Sequence, residues 1–162
     1  MKRTYLLLLP LLLLFLGAAA CRDDDAVPDT TSTTSGTGTG NPTTMSTQLR
    51  IRIGSETFTA TLLDNSTTTA FKAQLPLTIS MVELNGNEKY YDLPQGLPTN
   101  AANPGTIQAG DLLLYGSNTL VLFYKTFSTS YRYTRMGRVD NPAGLAAALG
   151  RGNVTVTFEV QP

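Results

Sequence analysis

The chain has 162 residues, 12 basic against 12 acidic, with no His, no Trp and a single Cys. That length suits one ordinary domain, and the even charge leaves no electrostatic footprint for nucleic acid. Without His or a second Cys there is no Ser-His-Asp triad, no His-liganded zinc, no CxxC metal or redox pair and no internal disulfide.

Residues 1–20 read as an address. Lys2 and Arg3 precede an apolar run from Tyr5 to Leu16, which ends in Gly17-Ala18-Ala19-Ala20 just before Cys21. A basic head, an apolar core and a small-residue cleavage site describe a secretory signal that is removed. At ~1.5 Å per residue the run is short for a ~30 Å hydrocarbon core, and Pro10 interrupts it. It resembles a bacterial lipoprotein signal, in which the Cys becomes lipidated, although Ala18 stands where such signals usually carry Leu. Ordinary A-x-A cleavage leaving Cys21 free is the plainer alternative. Lipidation at Cys21 would make the membrane a partner through acyl chains, each buried CH₂ contributing about 0.8 kcal/mol.

Residues 21–46 hold almost nothing a core could use. Arg22-Asp23-Asp24-Asp25 is a charged patch, and Thr30 to Thr44 is mostly Thr, Ser and Gly. Such a composition reads as a disordered tether, spanning roughly 25–30 Å as a flexible chain. The acidic triplet resembles the surface-export signal of Bacteroidota lipoproteins; a solvated charge cluster is the other reading. Asp29-Thr30-Thr31 also looks like an O-glycosylation acceptor of that phylum. The expected location is the cell envelope, on the outer membrane and exposed at the surface if the triplet is an export signal.

Residues 47–162 read as one mainly β domain, large enough to close a core without staples. Leu49, Ile51 and Ile53 alternate with Arg50 and Arg52, and Gly54-Ser55 supplies a type II′ hairpin. Phe58, Ala60 and Leu62 alternate with Thr on the return strand. Asp64 or Asn65 caps a predicted helix from about Ser66 to Leu75, stopped by Pro76. Leu77, Ile79 and Met81 give a third alternating run. Glu88-Lys89-Tyr90-Tyr91 follows the turn residues Asn85-Gly86-Asn87 and opens a predicted irregular stretch to about Thr106, with Glu88 and Lys89 a solvated pair. A loop of that length is unusual unless functional. Asp92-Leu93-Pro94 and Gly96-Leu97-Pro98 read as turn formers and wall packing.

Asp111 is expected to cap the start of its strand through nearby backbone N–H groups. Leu112–Tyr115 and Leu120–Tyr124, separated by a tight turn at Gly116-Ser117, are apolar on both faces, which predicts interior on one side and a helix on the other. On a strand, Tyr131, Tyr133 and Arg135 point the same way. Asn141 as N-cap, Pro142 at the first helical position and Gly150 past the end frame a second helix, whose Leu145 and Leu149 share a face that plugs or covers a barrel end. Val154, Val156, Phe158 and Val160 form a last strand that pairs with the first and removes two edges. The expected architecture is a closed or half-closed barrel with two short covering helices.

Residues from about Leu49 to Glu159 resemble the bacterial cyclophilin-like domain family. The segments that carry the likeness are Gly86-Asn87-Glu88-Lys89-Tyr90, Asp92-Leu93-Pro94, Gly110-Asp111-Leu112, Asn118 through Lys125, and Tyr131 through Asn141 with the following helix. The resemblance implies a barrel of about eight strands. Cyclophilins themselves are peptidyl-prolyl isomerases, in which an Arg donates to the prolyl nitrogen within an aromatic pocket and so eases rotation over a barrier of ~18–20 kcal/mol. They also carry a His beside that Arg and commonly a Trp. This chain has neither, so no catalytic residue is carried over.

The candidate ligand groove therefore comprises Tyr131, Tyr133 and Arg135, two aromatic faces and a five-donor fork, together with Glu88 and Tyr90. Such a set suits an amide, a peptide backbone or a carboxylate. Packing Tyr side chains with a snorkelling Arg135 are the plainer reading. No oxygen-rich Ca²⁺ loop or phosphate-cradling Gly loop is present, so neither metal nor cofactor is expected. The functional expectation is a lipid-anchored envelope protein presenting the barrel as a non-catalytic module for a peptide or small ligand. The alternatives are a degenerate prolyl isomerase using Arg135 or Arg138, and a structural protein-interaction module of the envelope.

Overall fold

A computed structural model describes residues 48–161. The first alternating run is strand β1 (Gln48–Ile53) and its return is β2 (Glu56–Leu62). Ile53 faces Glu56, so Gly54-Ser55 is the whole loop, with Gly54 at φ +59° and Ser55 on the ordinary negative side, as a type II′ turn requires. Helix α1 (Ser66–Lys72) follows a reciprocal cap: the Asn65 side chain accepts from Thr68 N–H, and the Thr68 hydroxyl accepts from Asn65 N–H. Next come β3 (Leu77–Leu84), β4 (Glu88–Asp92), β5 (Thr106–Ile107), β6 (Asp111–Tyr115), β7 (Thr119–Phe123), β8 (Phe127–Ser128) and β9 (Tyr133–Val139). Helix α2 (Leu145–Leu149) and β10 (Val154–Val160) end the chain.

Eight strands form one closed antiparallel barrel in the order β1-β10-β3-β4-β7-β6-β9-β2, and β5 pairs with β8 as a separate ribbon. The last strand does lie against the first, Ile51 opposite Phe158, so neither keeps a free edge. Inward positions fill the interior with Leu49, Ile51, Met81, Leu112, Leu122 and Phe158. Both helices feed this same core. Phe71 of α1 meets Phe158 edge-on at 6.0 Å, and Leu145 and Leu149 of α2 are buried with them. Full burial of one such side chain contributes roughly 1.5–3 kcal/mol. Asp111 caps its strand, its carboxylate accepting from Gln108 N–H at 2.8 Å.

Several expectations need correction. Helix α1 ends at Lys72, with Ala73 as C-cap, short of Leu75. Helix α2 starts three residues late, because Asn141 instead closes a turn onto Ala143 N–H and Gly144 takes a left-handed φ of +82° that no helical residue adopts. Glu88–Asp92 is a strand of the barrel wall, paired to β3 and β7, so the irregular stretch begins at Leu93. Leu93 and Leu97 within it are buried wall residues, as expected. The outer face of β6 and β7 is covered by the β5–β8 ribbon and not by a helix: Ile107 and Phe127 pack over Leu113, Val121 and Phe123.

Strand β9 carries a bulge. Leu112 pairs with Gly137 but Leu113 pairs with Arg135, leaving Met136 as the extra residue. The alternation therefore changes phase, and Met136 and Val139, three apart, both enter the core. A Cβ on Gly137 would lie 2.5 Å from the Thr61 carbonyl oxygen, so the bulge brings β9 too close to β2 for any side chain there.

Candidate functional site

Alternation along β4 separates two chemistries. Lys89 and Tyr91 turn inward, whereas Glu88, Tyr90 and Asp92 turn out onto the wall. Outward residues of the neighbouring strands, Val121 of β7 and Tyr115 of β6, continue the same surface, with Tyr133 of β9 beyond them. Phe127 and the following segment to Tyr131 rise along its side. The result is a groove of about 580 Å³ on the outside of the barrel, within the ~300–1,000 Å³ range of small-ligand sites.

Its floor is a chain of rings. Tyr115 stands edge-on to Tyr131 at 6.1 Å and tilted against Tyr133 at 5.6 Å; Phe123 is edge-on to Tyr133 at 5.6 Å and packs on Phe127 at 5.7 Å. Tyr133 is buried while Tyr131 stays 63% exposed, so one ring anchors the floor and the other forms a lip. Burial, then the Glu88 charge and the neighbouring Tyr115 and Tyr131, push the Tyr133 hydroxyl up to about 12, against a Thr129 hydrogen bond. It stays protonated at neutral pH.

Glu88 is only 9% exposed, and no donor among the described residues bonds its carboxylate. Burial first, and the charge of Glu83 second, raise its pKa above the ordinary carboxylate value. Asn87 lines the same groove, and its side-chain oxygen is buried without a partner among the described residues. Asp92 is better served, accepting from the Thr119 hydroxyl at 2.6 Å.

The solvated Glu88–Lys89 pair is a misreading, because both residues sit in the wall. Lys89 is fully buried on the inner side of β4 and binds the Glu83 carboxylate, Gly150 O at 3.0 Å and Gly152 O at 2.5 Å. Its ammonium also lies 5.6 Å from the Tyr124 ring centre, and the Tyr124 hydroxyl donates to Glu83 at 2.7 Å. Partial desolvation would raise the Glu83 pKa, but Lys89, Tyr124 and Gly86 N–H outweigh it and hold it below the ordinary value. Burial and the Glu83 contact push Tyr124 up to about 12. All three donors of Lys89 are thereby used in fastening the end of α2 to the wall.

Four of the five residues singled out in the sequence, Glu88, Tyr90, Tyr131 and Tyr133, line this groove. Arg135 does not. The strand starts at Tyr133, so Tyr131 reaches the groove from the preceding bend and not from a shared strand face. Arg135 is exposed beside a second hollow of about 410 Å³ with Asn65, Asn100 and Asn103, and Tyr133 forms the wall between the two. Arg138 is engaged elsewhere, 3.8 Å from the Asp111 carboxylate and 3.4 Å from Ala109 O. Tyr115 and Phe127 were not anticipated. Tyr115 could have been found by following the outward phase of Leu113, whereas the two-residue β8 carries no periodicity to follow. No group of three or more acidic, His or Cys residues converges among the described residues.

A closed barrel with helices reaching its core and a ligand-sized hollow on its outer wall is a barrel-type binding module. The model of the cyclophilin-like family matches residues 51–159, and the chain belongs to that family. A search of the curated proteins finds no match.

Proposed function

We propose that this is a lipid-anchored protein of the bacterial cell envelope, held at the outer membrane through Cys21, whose barrel binds a peptide or small ligand without catalysing its isomerisation. The observation that carries the binding half is the outer groove: aromatic rings, a buried carboxylate and no Arg or Lys among its lining residues. In cyclophilins, prolyl isomerisation calls for a guanidinium beside the prolyl nitrogen. Arg135 and Arg138 both lie outside the groove, so the donor is missing where the aromatic surface is. The anchoring half is supported by the basic head, the apolar run and the small residues before Cys21.

A proline-switch assay on a Xaa-Pro peptide tests the first half. The expected rate is that of the uncatalysed peptide, with the groove amides shifting on ligand addition. Acceleration that disappears in Arg135→Ala would overturn it. Intact-mass measurement of the membrane fraction tests the second half: the expected mass carries acyl chains on Cys21, and a mass without added hydrocarbon would end that reading.

A further inference from the structure

Glu88 as a residue is nine-tenths buried on the groove wall, and its carboxylate has no hydrogen-bond donor or cation against it among the described residues. Buried carboxylates are ordinarily paired, because removing an ion from water without compensation is costly. The adjacent lysine cannot serve: Lys89 is on the other side of β4, committed to Glu83 and two carbonyls. Around Glu88 the groove offers the rings of Tyr90, Tyr115, Phe127, Tyr131 and Tyr133, and a second acid, Asp92. The buried Asn87 oxygen adds an unused acceptor. The two charged groups that line this surface, Glu88 and Asp92, are both acceptors.

We infer that the groove takes an alkylammonium group, seated against the Glu88 carboxylate with its methylenes and charge on the tyrosine faces. The inference rests on the groove being a ligand site. Cations are attracted to the negative faces of aromatic rings within about 6 Å of their centres, and more strongly where water is excluded. A carboxylate supplies the charge-assisted bond that a neutral amide could not match. An anionic ligand would meet two carboxylates and no cation, so carboxylate and phosphate ligands are disfavoured. The ammonium could belong to a lysine side chain of a peptide or to a free small amine, and both present the same chemistry.

Titration of the ¹⁵N-labelled full chain separates these cases, with acetyl-Gly-Lys-Gly-amide, its Met and Glu counterparts, and n-butylamine as probes. Shifts at the Glu88, Tyr115 and Tyr131 amides are expected with the Lys peptide or butylamine, with affinity at least tenfold above the Met peptide. Binding by the Lys peptide alone assigns a peptide source, and equal binding by butylamine assigns a free amine. Glu88→Gln keeps size and shape, so it should lose tenfold or more in affinity while remaining folded by circular dichroism. Tyr131→Ala, at an exposed lip, should weaken binding severalfold without loss of fold. Equal binding of the Met peptide, or full affinity in Glu88→Gln, overturns the cation assignment and leaves the groove as a site. Absence of groove shifts with every probe overturns the cation assignment and the ligand site together.

Discussion

Two neighbouring residues of one strand illustrate opposite fates of a buried charge. Lys89 is enclosed but fully engaged, so its removal from water is offset by a carboxylate, two carbonyls and a ring face. Glu88 is less enclosed but lacks such compensation, and its pKa is raised by burial first and by the Glu83 charge second. Linkage gives the consequence its sign. Between the ordinary carboxylate value and the higher folded value, the native state holds more protons than the unfolded chain. Glu88 therefore lowers stability as pH rises through its folded pKa, whereas Glu83, whose folded pKa is depressed, supports stability above the ordinary range and loses that support as pH falls. Glu88→Gln removes the first effect and keeps the second. Its thermal midpoint should exceed that of the parent protein at pH 7, with the gain shrinking as pH falls toward the ordinary carboxylate value and absent below about pH 4, where Glu88 is protonated in both states. Equal midpoints at pH 7 would mean that the carboxylate is not desolvated at all.

At the scale of elements, legibility followed periodicity. β1, β2, β3 and β10 each present a clean two-residue alternation, and each lies where the pattern puts it. The doubly apolar β6 and β7 announce that something covers their outer face but not what; a two-residue strand such as β5 has too few positions to show a pattern. The bulge at Met136 is the hardest feature to foresee. Its one sequence sign is Gly137, which looks like any glycine until Thr61 O is found 2.5 Å from where a Cβ would stand. That phase change also accounts for Val139 turning inward although it stands an even number of residues from Tyr133, which turns outward. For the site, loop and strand reasoning found four groove residues and misassigned Arg135, because residue spacing fixes the side of a strand and not which hollow a long side chain borders. Lys89 escaped because an inward lysine contradicts composition unless its partners, distant in sequence at Gly150 and Gly152, are already known.

For the whole molecule, the question is whether the barrel and its outer aromatic floor behave as one unit. Leu113, Val121 and Phe123 alternate with Leu112, Leu120 and Leu122 along the same two strands, so the interior cluster and the outer cluster share a backbone. Phe158 tests this from the far side. It lies on β10 between Ile51 and Leu77, joins the closing strand to both neighbours, and holds Phe71 of α1. Phe158→Ala leaves a cavity at the barrel's closure and should destabilise by about 3–5 kcal/mol. A single closed sheet transmits that loss everywhere, so far-UV circular dichroism and the near-UV signal of the groove tyrosines should melt together, both at a lower denaturant midpoint with a similar slope. A groove signal that keeps its parental midpoint while the sheet signal falls would show the outer floor to be stabilised independently of the barrel. The coupling matters for ligand binding. Glu88 and Tyr133 hold their positions through strands whose other faces are the core, so the groove's geometry is set by barrel closure.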